Sequence, residues 1–150
     1  MPKTLEDIAT HLGSGPFLGM DWGKRRVGLA ISDADNQVAM PLCVVDAGGA
    51  LRTTLITLWE ERKIKALVMG WPLHADYGKE SDLCPAISRL GHRLVDDHGW
   101  PICFWDERFS SQAVLHFPQK KGTELHHHAA AFILQGALHR WQHLRSLIGT

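Results

Sequence analysis

What the chain lacks narrows its class before any motif is read. Cysteine is scarce: Cys43, Cys84 and Cys103 are the three in 150 residues. They are odd in number, far apart and set in apolar contexts. That pattern argues for buried thiols in a reducing compartment and against a disulfide framework. No apolar run approaches the roughly 20 residues a membrane helix needs, so no membrane partner is expected. The opening "MPKTLEDIAT" carries acids where a signal peptide would be basic and then apolar, and the expected location is cytoplasmic. Net charge is missing as well, because sixteen basic residues balance sixteen acidic ones. No global positive field advertises a polyanion partner, and any nucleic-acid binding must come from a local patch. With no repeat, low-complexity tract or linker, residues 1–150 read as one domain, and 45% hydrophobic residues supply its core.

The order of elements follows from spacing. Leu5, Ile8, Ala9 and Leu12 keep helical intervals behind Thr4 as a cap, so residues 1–15 form an extension with a short helix. "FLGMDWG" and "RVGLAISD" are β-like runs joined by a tight basic turn, which predicts a hairpin. "QVAMPLCVV" gives a third strand, with Pro41 requiring an edge or a bulge. Leu51, Leu55, Leu58 and Trp59 then mark a helix before the apolar strand "ALVMGW". After the loop "PLHADYGKES", Leu83, Ile87, Leu90 and Leu94 mark another, with Pro85 tolerated in its first turn. "PICFW" is a buried strand, a short helix is expected over 111–116, and a long helix over 124–147 closes the chain. A meander followed by two crossover units predicts an α/β fold with a mixed sheet flanked by helices.

Several residues break the pattern in ways that chemistry would explain. Asp21 interrupts an otherwise apolar strand, where a carboxylate is costly unless paired, hydrogen-bonded or metal-bound. A plain turn cap is the competing explanation, and Gly23 and Gly28 beside it would admit a phosphate or a backbone. In "FWDERFSS", Asp106 and Glu107 alternate in direction, so one of the two can share a site with Asp21. Arg108 next to them suits an ordinary salt bridge or a phosphate. Gly70 and Pro72 shape an abrupt strand exit that carries His74, either a ligand contact or a solvent-facing loop histidine. Lys24, Arg25 and Arg26 beside Asp21, with Lys120 and Lys121 before the last helix, form a candidate phosphate patch. Charged turns are common enough that a solvated surface explains them equally well. Trp59, Trp105 and Trp141 fit core positions, whereas Trp22 and Trp71 stand near the proposed site and could stack on a base.

The last helix opens with three consecutive histidines in "GTELHHHAAAFILQ". Ala130, Leu134, Ala137, Trp141, Leu144 and Ile148 define its inward stripe, and His126 extends that stripe by one turn. His127 and His128 lie about 100° and 200° around the helix, so the three cannot converge on one ion. His127 and His128 are therefore expected at the surface. A histidine at a helix N-terminus is biased towards its neutral, metal-competent form.

Taken together, these stretches resemble the YqgF family of Holliday junction resolvase-like proteins and pre-16S rRNA nucleases. The resemblance runs from about Phe17 to Leu138 and rests on four motifs in the right order. "LGMDWGKRRVGLAISD" is similar to the family's opening hairpin. "VMGWPLHADYG" is similar to its Gly-Leu-Pro-Leu-Asn loop, with Trp71 and His74 in place of Leu and Asn. "DERFSSQA" is similar to its Asp-Glu-Arg block and "AAAFILQ" to its final helix. The resemblance implies an RNase H-like fold with a mixed five-stranded sheet. It also implies a site that holds Mg²⁺ or Mn²⁺ through Asp21, Glu107 and position 126, where the family's aspartate is here His126. Mn²⁺ is favoured if His126 is a ligand, because it accepts imidazole more readily. The implied activity is phosphodiester hydrolysis, with an rRNA precursor ahead of branched DNA as substrate. The ribosome is a further partner, and the chain acts as a monomer or homodimer. Two other classes compete: a binding module that has lost catalysis, and an actin/hexokinase-type phosphotransferase fragment, since Asp-x-Gly before a hairpin is also that superfamily's phosphate loop.

Overall fold

Thr4 sets the first helix of the computed structural model, which describes residues 3–72, 83–106 and 123–148, with side chains of the last segment from His128 onward. The Thr4 side chain accepts from the Asp7 amide at 3.1 Å, and the Asp7 carboxylate accepts from the Thr4 amide at 3.3 Å. This capping box satisfies two amides otherwise left orphaned at the start of α1 (Leu5–His11). Three antiparallel strands follow: β1 (Phe17–Trp22), β2 (Arg26–Ser32) and β3 (Ala39–Asp46). The hairpin predicted for the first two closes through Gly23, whose N–H donates to the Arg26 carbonyl at 2.8 Å. The edge or bulge that Pro41 requires is present in both forms. β3 is the outer strand, and its register against β2 slips between Leu29 and Ala30.

Two crossovers complete the sheet. Helix α2 (Ala50–Glu61) leads to β4 (Ala66–Trp71), parallel to β1, and α3 (Cys84–His98) leads to β5 (Ile102–Asp106), parallel to β4. Pro85 lies in the first turn of α3, where its missing N–H costs nothing. Gly99 ends that helix at φ 68, the left-handed conformation glycine adopts without penalty. The strand order β3-β2-β1-β4-β5 is the mixed five-stranded sheet expected from the sequence. The short helix expected over 111–116 falls outside the described residues.

Each face of the sheet has its own core, as strand alternation demands. Leu18, Met20, Leu29, Leu67, Met69 and Ile102 pack on the side of α2 and α3. Phe17, Ala30, Ala66, Val68 and Cys103 pack on the other side against α1 and the long α4 (Thr123–Ile148). Trp59 stacks on Trp100 with centroids 4.0 Å apart, while Trp105 is partly buried and Trp141 buried against the α4 face. Ala130, Leu134, Ala137 and Trp141 are buried as the stripe predicts, and Leu144 is partly so, but Ile148 is 46% exposed. The correction has a simple cause. A helix of 26 residues is roughly 39 Å long, about twice the length of a six-residue strand, so its end overruns the sheet. Cys84 and Cys103 are buried and Cys43 is half-buried, all as free thiols. No helix among the described residues is long and apolar enough to cross a membrane.

Candidate active site

Strand β1 positions Asp21 by alternation. Leu18 and Met20 face α2 and α3, Phe17 and Gly19 face α4, and Asp21 follows them onto the α4 side at the end of the strand, half-buried. Its direct partner across the hairpin is Gly28. On the other flank the parallel register Met20↔Met69 brings Gly70 next. Neither of these two strand neighbours carries a side chain beyond hydrogen.

Helix α4 is held unusually close to this strand. A Cβ on Gly19 would lie 2.7 Å from Leu134 Cβ and 3.1 Å from the Ala130 carbonyl. Further along the helix, Trp141 meets Phe17 edge-on with centroids 5.7 Å apart. Phe17 to Gly19 thus maps onto Trp141 to Ala130, and α4 runs antiparallel to β1 with its N-terminal end directed towards Asp21. Polar clamps on the outer strand and the turn before it belong to the same helix: Gln135 accepts from the Ala39 amide at 2.8 Å, and Gln142 donates to the Asn36 carbonyl at 2.7 Å.

His126 is part of α4, one turn before Ala130, and the side chains of His126 and His127 lie outside the described residues. His128 is half-buried, contrary to the surface position expected for it. It precedes Ala131 by one turn, and Ala131 packs against the α4-side core, so the stripe is wider than a single row. On β5, Trp105 packs on the α4 side and Asp106 alternates away from it. Glu107, His74, Arg108, Lys120 and Lys121 lie outside the described residues. Among the described residues no three histidine, cysteine, aspartate or glutamate side chains gather as a metal site.

Lys24 and Arg25 in the turn that directly follows β1, and Arg26 at the start of β2, are exposed, which brings them to the same sheet edge as Asp21. Trp71 packs tilted against Phe104 at 4.9 Å. Trp22 turns to the α2 and α3 face, where Arg52, Arg89 and Arg93 line a cleft with it. The sequence pattern did not single out these arginines. Its one signal was the four-residue interval between Arg89 and Arg93, which places both on one side of α3.

Comparison with known proteins bears on this arrangement. The profile of the RuvX family, described as a Holliday junction resolvase, matches residues 15–140. A protein of Phenylobacterium zucineum, provisionally named a pre-16S rRNA nuclease, is 36% identical over 148 residues, covering 86% of this chain and 89% of its own. A counterpart from Bradyrhizobium diazoefficiens, provisionally named likewise, is 32% identical over 152 residues, covering 95% and 94%. Among solved structures, Thermus thermophilus RuvC in complex with a Holliday junction substrate superposes with a TM-score of 0.59 at 13% identity, covering 85% of this chain and 96% of that one. A yeast mitochondrial Holliday junction resolvase gives 0.57 at 11% identity, covering 95% and 86%. These two likenesses bear out the RNase H-like fold that the motifs implied.

Proposed function

The chain belongs to the RuvX Holliday junction resolvase family, and from that premise we propose that it is a metal-dependent nuclease cutting structured nucleic acid, with the precursor of 16S rRNA as its substrate. The observation that carries this reading is Asp21, a half-buried carboxylate at the end of an apolar strand, flanked by Gly28 and Gly70 and followed by exposed basic residues. A carboxylate so placed offers hard oxygen ligands of the kind a divalent cation takes.

Asp21, Glu107 and His126 are the residues that would hold the ion. Trp105, two residues before Glu107, packs on the same side of the sheet as Asp21. From Ala130 back to His126 the helix rises about 6 Å, close to the roughly 6.6 Å from Gly19 forward to Asp21. The helix direction thus carries position 126 towards the Asp21 end of the strand. Bound Mg²⁺ or Mn²⁺ would supply neutralisation of the phosphate and activation of the attacking water. The chain's own part is to fix the carboxylate on a rigid strand and to gather phosphates at the Lys24–Arg26 turn, where cations beside the site steer a polyanion.

The test is cleavage of a 16S precursor transcript and of a four-way DNA junction by purified protein with Mg²⁺ or Mn²⁺. Cleavage of the transcript that Asp21→Asn lowers at least about a hundredfold supports the reading; that is the upper end of what even an outer-shell partner of a metal costs. Full activity in Asp21→Asn, or none with either ion, overturns it, and preference for the junction reassigns the substrate to branched DNA. His126 in place of the family's aspartate favours a second reading, a nucleic-acid or ribosome-binding module without catalysis. Metal-independent RNA binding that survives Asp21→Asn, with no cleavage, would select it.

A further inference from the structure

Immediately after Asp21, strand alternation sends Trp22 to the opposite face of the sheet. There it lines a cleft of about 720 Å³ between the start of α2 and the outer surface of α3. That size falls within the roughly 300–1,000 Å³ typical of ligand pockets. Arg89 and Arg93, both exposed, stand one helical turn apart along the α3 wall. Among the described residues neither is held in an ion pair. Arg52 reaches across from α2 to pair with Asp97, which ties the two walls together. With Asp97 so engaged, Asp96 is the other carboxylate in the lining, so positive charge prevails.

The cleft is also continuous with the basic turn. The Arg25 carbonyl accepts from the Ala47 amide at 2.8 Å, and Ala47 is part of the cleft rim. Lys24, Arg25 and Arg26 thus bridge from the Asp21 edge to the opposite face. Among the described residues nothing lies within 4 Å of a Cβ built on Gly48 or Gly49 at the mouth. An indole beside two unengaged guanidinium groups matches one ligand chemistry: a planar base to stack and a phosphate to hold in a fork.

We propose that this cleft captures an unpaired nucleotide of the strand flanking the cleaved bond, with Trp22 stacking on the base and Arg89 and Arg93 holding phosphate. The proposal rests on the nuclease reading and narrows its substrate class. A base inside a duplex is already stacked on both sides, so the preferred substrate carries a single-stranded extension next to the cut.

The test uses the full chain bearing Asp21→Asn without added metal, so that binding is read apart from cleavage. A labelled duplex with a single-stranded extension and the same duplex with blunt ends are titrated in parallel, as RNA and as DNA. The extension is expected to tighten binding by about tenfold or more, the scale of one stacked base. Adding Arg89→Ala with Arg93→Ala should remove most of that gain and flatten the salt dependence of the extended substrate by about 1.4 in slope, for two lost single-strand phosphate contacts. Trp22→Leu should remove the gain too, as should an abasic extension on the parent protein. Arg62→Ala with Arg140→Ala deletes equal charge elsewhere and should keep it. The idea falls if the extension gives no gain, if the arginine pair leaves the gain intact, or if the control pair abolishes it equally. If those results fall against the cleft while the Asp21 protein still cuts precursor RNA, the nuclease reading stands alone. Extension-dependent binding with no cleavage by any form leaves the cleft and removes the nuclease.

Discussion

In the proposed site His126 stands where the family resemblance implies an aspartate, and that exchange has a chemical consequence. A neutral imidazole can donate a lone pair but brings no charge, so a site with one carboxylate fewer binds the hard Mg²⁺ ion weakly and Mn²⁺ relatively better. Wild-type protein is expected to cleave faster with Mn²⁺, and His126→Asp to raise the Mg²⁺-supported rate by about tenfold or more, the scale on which metal shells tune activity. Rate against metal concentration for both ions reads this directly; an unchanged Mg²⁺ rate in His126→Asp, with equal activity in His126→Ala, would remove His126 from the site. A second residue gives a pH dependence. Cys103 is fully buried on the α4 side, and desolvation, with Glu6 adding a smaller push, raises its thiol from an ordinary 9.0 to about 12. The folded state holds this proton more tightly than the unfolded chain. Its contribution is therefore complete below about pH 9 and is lost as pH rises from there towards 12. Urea midpoints measured from pH 8 to 11 should fall more steeply for wild type than for Cys103→Ala, and parallel slopes would contradict the assignment.

Where α4 crosses β1, an element-scale constraint joins stability to the site. Gly19 exists because the helix backbone comes so near: the Ala130 carbonyl and Leu134 Cβ occupy the space a side chain would need. Both obstacles are fixed parts of the helix, not ends of flexible side chains, so the crossing cannot yield locally. Gly19→Ala should cost about 1–3 kcal/mol by overpacking, against the small gain an alanine usually brings to a strand. It should also lift the N-terminal half of α4 and with it position 126, lowering the cleavage rate in samples that are fully folded. Denaturant titration alongside turnover separates the two effects, and a stable variant with normal turnover would show that the helix does not position the site. At this scale most of the fold was legible in the chain. The capping box at Thr4, the hairpin, Pro41 on a bulged edge and Pro85 at a helix start are all local rules that the packing leaves intact. What misled was extent, since periodicity continues through Ile148 after the sheet has ended. His128 misled for the opposite reason, because a helix lying flat on a sheet buries more than one row.

At the scale of the whole molecule, the sheet separates the two proposed sites, which the chain places one residue apart. Asp21 and Trp22 are neighbours in sequence yet belong to opposite faces, each with its own core and its own pair of helices. The carboxylate was legible because a charge in an apolar strand violates a rule. The cleft was not, because it forms only when α2 and α3 meet over β1, with Arg52 and Arg89 drawn from segments far apart in sequence. The same logic of distant segments explains why α1 is integral to the fold. Ile8 and Ala9 are fully buried in the core beneath α4, and the Lys3 amide donates to the Ile102 carbonyl at 2.7 Å on the outer side of β5. Arg145, near the other end of the chain, donates to the Ala9 carbonyl at 2.8 Å and so satisfies an acceptor at the end of α1. Ile8→Ala is accordingly expected to lower unfolding free energy by about 2–5 kcal/mol, the cost of emptying a closed core site. Because α1 touches the α4 core and not the Asp21 edge, this loss should appear in the urea midpoint while turnover of the folded enzyme persists. A variant that keeps its midpoint would show that α1 merely rests on the core, and one that keeps its midpoint but loses turnover would tie α1 to the site instead.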